Sequence, residues 1–476
     1  MSSQVVVYKK KKGIVRSSTL ILIGFATAFF PRLLTYFGGP PPINFVHFGV
    51  VPIVVVIALL QTRVKNRQQI AIAWELIVGL GILLTCMTAS ALINDAGFLN
   101  IFLQFMLNGE PFLLLIAIVA LPLAGENLKR FRSWIVGFCL FNLILAIAQS
   151  ILLPVGLYPG AQGGQLITDN IAGVFASKGG SAGNYISCTV SLYFALYFFN
   201  VFKTVPLWKR IALLIAAFYQ TSVSDSKQIF VAFFAGWLLV VLTNVKKPAK
   251  ILMYIIPLIL IVCLFYWALA YTDWEPLEPY RNFTTGRAEQ NLYGPDGEAT
   301  ILKTSAFRVI PAYYTTPLNW LFGLGPGHTA TRLGGWILRD YKALLLPLGA
   351  TIHPASEAFW QIILGPAGWL SRESTMYFPM FTWVGIWGDL GLVGLAAYLY
   401  LSSIVWRRIC VDDFCKFLLL STAVLGFIIT QMEEPGQMLT IACFLGLRWH
   451  EEREAKNTLH DDLSPPPLLS VHSQHW

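Results

Sequence analysis

The feature that most restricts this chain is a succession of apolar runs, each close to the length of a membrane span, recurring through most of its 476 residues. A helix rises about 1.5 Å per residue, so about 20 apolar residues cross the roughly 30 Å hydrocarbon core of a bilayer. Runs over 19–37, 43–60, 70–93, 99–123, 133–156, 184–202, 207–223, 228–244, 251–271, 378–405, 416–431 and 436–448 predict about twelve spans. The fourth is expected to be interrupted by Asn108-Gly109-Glu110-Pro111. Composition agrees: 56% of residues are hydrophobic and only 12% are charged, where soluble domains carry roughly 25% charged. The expected class is an all-α polytopic membrane protein.

Charge placement orients the spans. Lys9, Lys10, Lys11, Lys12 and Arg16 precede the first run, and no small-residue cleavage site follows, so they read as a cytoplasmic flank rather than a signal peptide. Lys and Arg recur at alternate connections: Arg63, Lys65 and Arg67; Lys129, Arg130 and Arg132; Lys203, Lys209 and Arg210; Lys246, Lys247 and Lys250; Arg407, Arg408 and Lys416; Arg448, Arg453 and Lys456. By the positive-inside rule both termini are cytoplasmic. The net charge of +9 then reports topology and implies no nucleic acid. The cysteines (Cys86, Cys139, Cys188, Cys263, Cys410, Cys415 and Cys443) lie in or beside apolar runs without zinc-type pairing, and read as small fillers.

Four regions follow. Residues 1–271 form a membrane bundle of about nine spans, 272–377 a long outer loop, 378–448 the last spans, and 449–476 a disordered cytoplasmic tail, Pro-rich at Pro465-Pro466-Pro467. The loop concentrates polar chemistry: Arg281, Arg287, Lys303, Arg308, Arg332, Arg339, Lys342 and Arg372, with His328, His353, Glu357 and Glu373, around the run Gly323-Leu324-Gly325-Pro326-Gly327. That run is not a P-loop, because no Gly-Lys-Ser/Thr follows it. Lys178 and Lys227 place positive charge in short outer connections, where the charge rule disfavours it. Lys227 has two readings: a pair with Asp225, or contact with an anion. Asp389 stands at a span entrance, as a helix cap or as an acid with a task.

Four pieces carry a resemblance. Gly173-Val174-Phe175-Ala176-Ser177 with Gly183-Asn184-Tyr185 looks like a Gly-x-Phe…Asn turn entering a span. Thr221 to Lys227, entering the next apolar run, looks like a Ser-Arg segment. Arg308 followed by Gly323-Leu324-Gly325-Pro326-Gly327 looks like an Arg with a Gly-x-Gly-x-Gly turn. Gly391-Leu392-Val393-Gly394-Leu395 looks like the Gly-x-x-Gly that opens the span after a long loop. In this order, over roughly residues 170–405, they resemble the O-antigen ligase and polysaccharide polymerase family. The chain departs from that pattern twice. Lys227 stands where the family usually has Arg, and the family His falls near Met380, with His353 and Glu373 as replacements.

The resemblance implies a type C glycosyltransferase-like fold in a bacterial inner membrane. The donor would be a glycan on undecaprenyl diphosphate at the outer face. An acceptor hydroxyl attacks the anomeric carbon and the lipid diphosphate leaves, without metal or cofactor. Polymerisation of repeats into exopolysaccharide, capsule or O-antigen is the expected activity, with a ligase that moves finished glycan to a lipid or protein acceptor as the alternative. A flippase or transporter, suited by a broken fourth span, and a non-catalytic assembly subunit are the rivals. The partners expected are the lipid-linked glycan, the bilayer and other polysaccharide-assembly proteins. A departing diphosphate needs cations, for which Lys227, Arg308, Arg287 and Lys178 are the candidates. A base for the acceptor would come from His353, Glu373, His328 or Asp389.

Overall fold

The computed structural model describes residues 17–61, 67–159, 167–177, 183–245, scattered positions within 256–272, then 292–294 and 296–463, without the side chains of 372, 373 and 458–463. Among the described residues there is helix, turn and coil but no strand. The first helices are α1 (Ser17–Phe29), α2 (Pro31–Tyr36), α3 (His47–Gln61), α4 (Arg67–Ile93), α5 (Phe98–Ala120) and α6 (Glu126–Leu152). Next come α7 (Gly183–Val201), α8 (Leu207–Val223) and α9 (Lys227–Asn244). Short helices follow: α10 (Glu298–Thr304), α11 (Ala306–Ala312), α12 (Leu318–Phe322), α13 (Pro354–Leu364) and α14 (Gly368–Glu373). The chain closes with α15 (Thr382–Arg408), α16 (Asp413–Leu425) and α17 (Pro435–Leu463). Among the described residues, six helical stretches are long and apolar enough to cross a membrane: Pro41–Gln61, Arg67–Ile93, Phe98–Ala120, Glu126–Leu152, Lys227–Asn244 and Thr375–Arg408. The protein is of the helical membrane type. Shorter helices occupy several other runs in which the sequence predicts spans.

α5 is the centre of the bundle. It packs against α3, α4 and α17 and is buried on nearly all sides along its second half, as an all-round apolar helix must be. It is unbroken, which corrects the expected interruption at Asn108-Gly109-Glu110-Pro111. Pro111 sits inside the helix, where its missing N–H leaves only one rung of the ladder unmade. Glu110 is fully enclosed and meets Nδ1 of buried His47 at 2.8 Å.

Two further expectations are corrected. The part of 272–377 that is described is not a loop. It folds as short helices docked on the ends of α4, α5 and α15. The tail does not begin at 449: α17 continues as helix to Leu463. Its extension is held at Glu451, which accepts from the Tyr197 hydroxyl at 2.6 Å and pairs with Arg448, and at Glu454, which accepts the Gly125 N–H at 2.9 Å. Basic residues meet acids at this end of the bundle, with Arg448 on Asp412 and Glu451 and Arg132 also on Glu451. The candidate site lies at the other end.

Candidate functional site

The site is built on a joint between two glycine motifs. Gly323 and Gly391 both have positive φ (70° and 65°), and Gly391 kinks α15 rather than opening it. A Cβ on Gly323 would lie 2.4 Å from the carbonyl carbon of Asp389, and one on Gly391 would lie 2.3 Å from the carbonyl of Leu321. Only the absence of side chains lets these backbones touch. The contact is made by Leu324 N–H to Gly388 O at 2.8 Å and Gly325 N–H to Asp389 O at 3.0 Å, while Ser90 Oγ donates to Asp389 O at 2.7 Å.

Asp389 then fixes the turn that follows. Its Oδ2 accepts from Gly327 N at 2.7 Å and Thr331 Oγ1 at 2.8 Å, and its Oδ1 from Thr329 N at 2.8 Å and Thr329 Oγ1 at 2.6 Å. A carboxylate has about four lone-pair sites, and all are filled in a side chain with no exposed surface. Asp389 is therefore neither the helix cap nor the base that its position suggested. It is the clamp of the 327–331 turn.

His328, on the same turn, is equally committed. Leu324 O, an acceptor only, lies 2.8 Å from Nδ1, so Nδ1 carries the hydrogen, and Nε2 accepts from Thr351 Oγ1 at 2.8 Å. Burial pushes His328 down to about 4, against the opposing pull of the Leu324 carbonyl. His353 stacks on it with ring centroids 5.3 Å apart. Its Nδ1 caps α13 by accepting the Ala355 N–H at 3.1 Å, so in the neutral ring Nε2 bears the hydrogen. Burial pushes this histidine down as well. As placed, His353 is a hydrogen-bond donor, not a base. Glu373 has its side chain outside the described residues.

Of the diphosphate candidates, Lys227 and Arg308 lie among the described residues. Lys227 pairs with Asp225 at 2.9 Å at the start of α9, the local partner that the sequence offers. Arg308 is exposed on α11 and donates to Ile301 O at 3.0 Å. Lys178 and Arg287 lie outside the described residues.

Other cations take their place. The 327–331 turn ends at Arg332, which immediately precedes a π-turn over Leu333–Ile337, and π-turns recur at functional sites. Its guanidinium pairs with Glu434, and Arg32, in the first turn of α2, reaches the same carboxylate at 2.6 Å. The Arg332 backbone N–H donates to Glu433 Oε2 at 2.7 Å. The side chains of Arg32, Arg332 and Glu434 are only 15%, 19% and 12% exposed, and Glu433 is fully buried. Burial works against ionisation of Glu434, but Arg32 and Arg332 outweigh it and hold that carboxyl below its usual range. Burial pushes neighbouring Glu433 up to about 8, with the Arg332 N–H opposing. The connection that supplies both acids also reaches the first motif segment, which in turn holds the second. Gln431 donates to Thr189 Oγ1 at 3.0 Å on α7, and Gly436 packs on the Phe175 ring. Asn184, at the start of α7, donates to Ser224 O at 3.1 Å.

One further cation stands nearby in the sequence and was not singled out as a site. Lys303 Nζ donates to Phe378 O at 3.0 Å and Ile428 O at 2.8 Å and lies over the Phe381 ring. It ties α10 to the entry of α15, and burial pushes it down to about 7.

Signals for the missed residues were present. Arg32 interrupts an apolar run, and Glu433-Glu434 fill a short connection between two apolar runs; charges so placed are costly unless paired. No protein-family model matches this chain, and no curated protein matches it significantly.

Proposed function

We propose that this chain is a membrane glycosyltransferase that takes glycan from a polyprenyl diphosphate, polymerising oligosaccharide repeats at the outer face of a bacterial inner membrane. The observation that carries the reading is the buried centre in which Arg32 and Arg332 converge on one carboxylate at the end of a glycine-built turn. Arginine presents a planar fork suited to phosphate, and in a partly dehydrated site such bonds are roughly twice as strong as neutral ones. The lipid diphosphate enters from the bilayer and exchanges contacts with the two arginines. In this reading 292–377 faces outward and both termini face the cytoplasm, in keeping with the basic residues at the far end of the bundle. Type C likeness and the count of about twelve spans belong to the same proposal.

A ligase using the same donor is the second reading, and the same centre serves it. The transporter reading loses its motive, since α5 is continuous. The test is glycan length on gels from a deletion strain complemented with variants. Arg332→Ala should leave the protein abundant and inserted but abolish the ladder. Arg332→Lys should retain a fraction, because it keeps the charge and loses the fork. A ladder that accumulates on the lipid carrier in the deletion strain would identify a ligase. A normal ladder with Arg332→Ala would remove the centre from the chemistry.

A further inference from the structure

Within the Arg32–Arg332 centre, Glu433 holds an unused hydrogen-bonding atom. Its side chain is fully buried, Oε2 accepts the Arg332 N–H at 2.7 Å, and Oε1 has no hydrogen-bond partner among the described residues. Buried polar atoms are seldom left in that state, because the hydrogen bond given up to water is not replaced.

The charges facing Glu433 come from three elements. Arg332 faces it from the turn, Asp389 and Tyr398 from α15, and Glu434 from its own segment, with Arg32 joined through Glu434. Among these described residues two guanidiniums stand against the carboxylates of Glu434 and Asp389. The centre is therefore balanced only while Glu433 is neutral. An ionised Glu433 would set a further negative charge beside an arriving anion. A protonated carboxyl instead supplies an O–H donor, which a carboxylate lacks.

We propose that Glu433 is a proton-carrying ligand of the donor diphosphate, whose carboxylic O–H bonds a phosphate oxygen beside Arg332. The inference rests on the centre being a diphosphate site, as proposed above. During transfer the acceptor oxygen bonds to the anomeric carbon, and the bond from that carbon to the diphosphate oxygen breaks with its electron pair left on the diphosphate. Glu433 gives its proton to the departing diphosphate. The acceptor hydroxyl loses its proton to water, and Glu433 regains one from water. A positioned acid acts in this way where negative charge develops. The raised protonation range of Glu433 keeps that proton in place at neutral pH.

The experiment measures binding of farnesyl diphosphate to the full-length protein in detergent between pH 7 and 9.5. Wild type should bind with constant affinity up to about pH 8 and then weaken about tenfold per pH unit, as loss of one required proton dictates. Glu433→Gln, which stays neutral at every pH, should show no such break. A wild-type curve without the break, or the same break in Glu433→Gln, would overturn the proposal. Should Glu433→Gln fold poorly, the infrared carbonyl band of the protonated acid serves in the wild type. It should be present at pH 7, fall by about half near pH 8 and disappear above about pH 9, and shift on adding farnesyl diphosphate; a band that ignores the ligand refutes the role. Proton-linked binding without glycan transfer would retain this inference and discard the transferase reading. Transfer with pH-independent binding would do the reverse.

Discussion

His328 shows how a residue that looks catalytic in sequence becomes structural in the fold. Both ring nitrogens are engaged, one by Leu324 and one by Thr351, whose hydroxyl also accepts from Gly97 N–H at 2.9 Å. The neutral ring is required, and its folded range is lowered to about 4 from the ordinary value near 6.5. A depressed basic group contributes stability that is complete above about pH 6.5 and is lost as pH falls towards about 4, because the unfolded state takes up the proton first. In thermal unfolding between pH 7 and 4.5, wild type should lose more stability on acidification than His328→Gln; equal losses would refute the assignment. The sequence marked His328, His353 and Asp389 as candidates, and the fold does gather them round one turn. It could not show that these groups were already engaged, because their partners mix neighbouring backbone groups, Leu324 O and Ala355 N–H, with groups brought in from far along the chain, Thr351 Oγ1 and the 327–331 turn. Nothing local distinguishes a histidine facing a substrate from one facing Leu324 O.

Glycine positions carry the elements. The sequence placed Gly323 and Gly391 in two separate motifs, and the structure presses them together, with each backbone where the other's side chain would be. Gly391→Ala forces an L-residue into positive φ against the Leu321 carbonyl. The expected cost is on the order of 3 kcal/mol, read as a lower unfolding midpoint and loss of glycan transfer together. A variant with wild-type stability would show that the kink is dispensable. Helix positions were legible from hydropathy alone because apolar length is a local property. The short helices of 298–377 were not, since helices of 5 to 11 residues such as Leu318–Phe322 and Pro354–Leu364 are stabilised by docking rather than by their own periodicity. Pro111 misled for the opposite reason: packing on α3, α4 and α17 holds α5 straight through a residue that breaks isolated helices.

For the molecule as a whole, the division of labour runs end to end. Ion pairs of Arg408 with Glu75, Lys416 with Asp413 and Arg448 with Asp412 close one end, and the arginine centre occupies the other. The expected topology places a cysteine at Gly297 within reach of an impermeant thiol reagent from outside, and one at Glu454 within reach only from the cytoplasm. Labelling of both from the same side would overturn it. Charge alternation is what makes this arrangement the expected one, since each basic cluster is contiguous in sequence. The arginine centre was unreadable as a unit because its members come from the first helices, the middle segment and the last connection. The pairing of Arg32 with Glu434 spans 402 positions of the chain. That distance also sets a schedule. A ribosome emits Arg32 long before Glu434, so a nascent chain stalled before residue 430 holds both arginines without the carboxylate they share. The two guanidiniums can be brought onto one acid only after Glu434 has emerged.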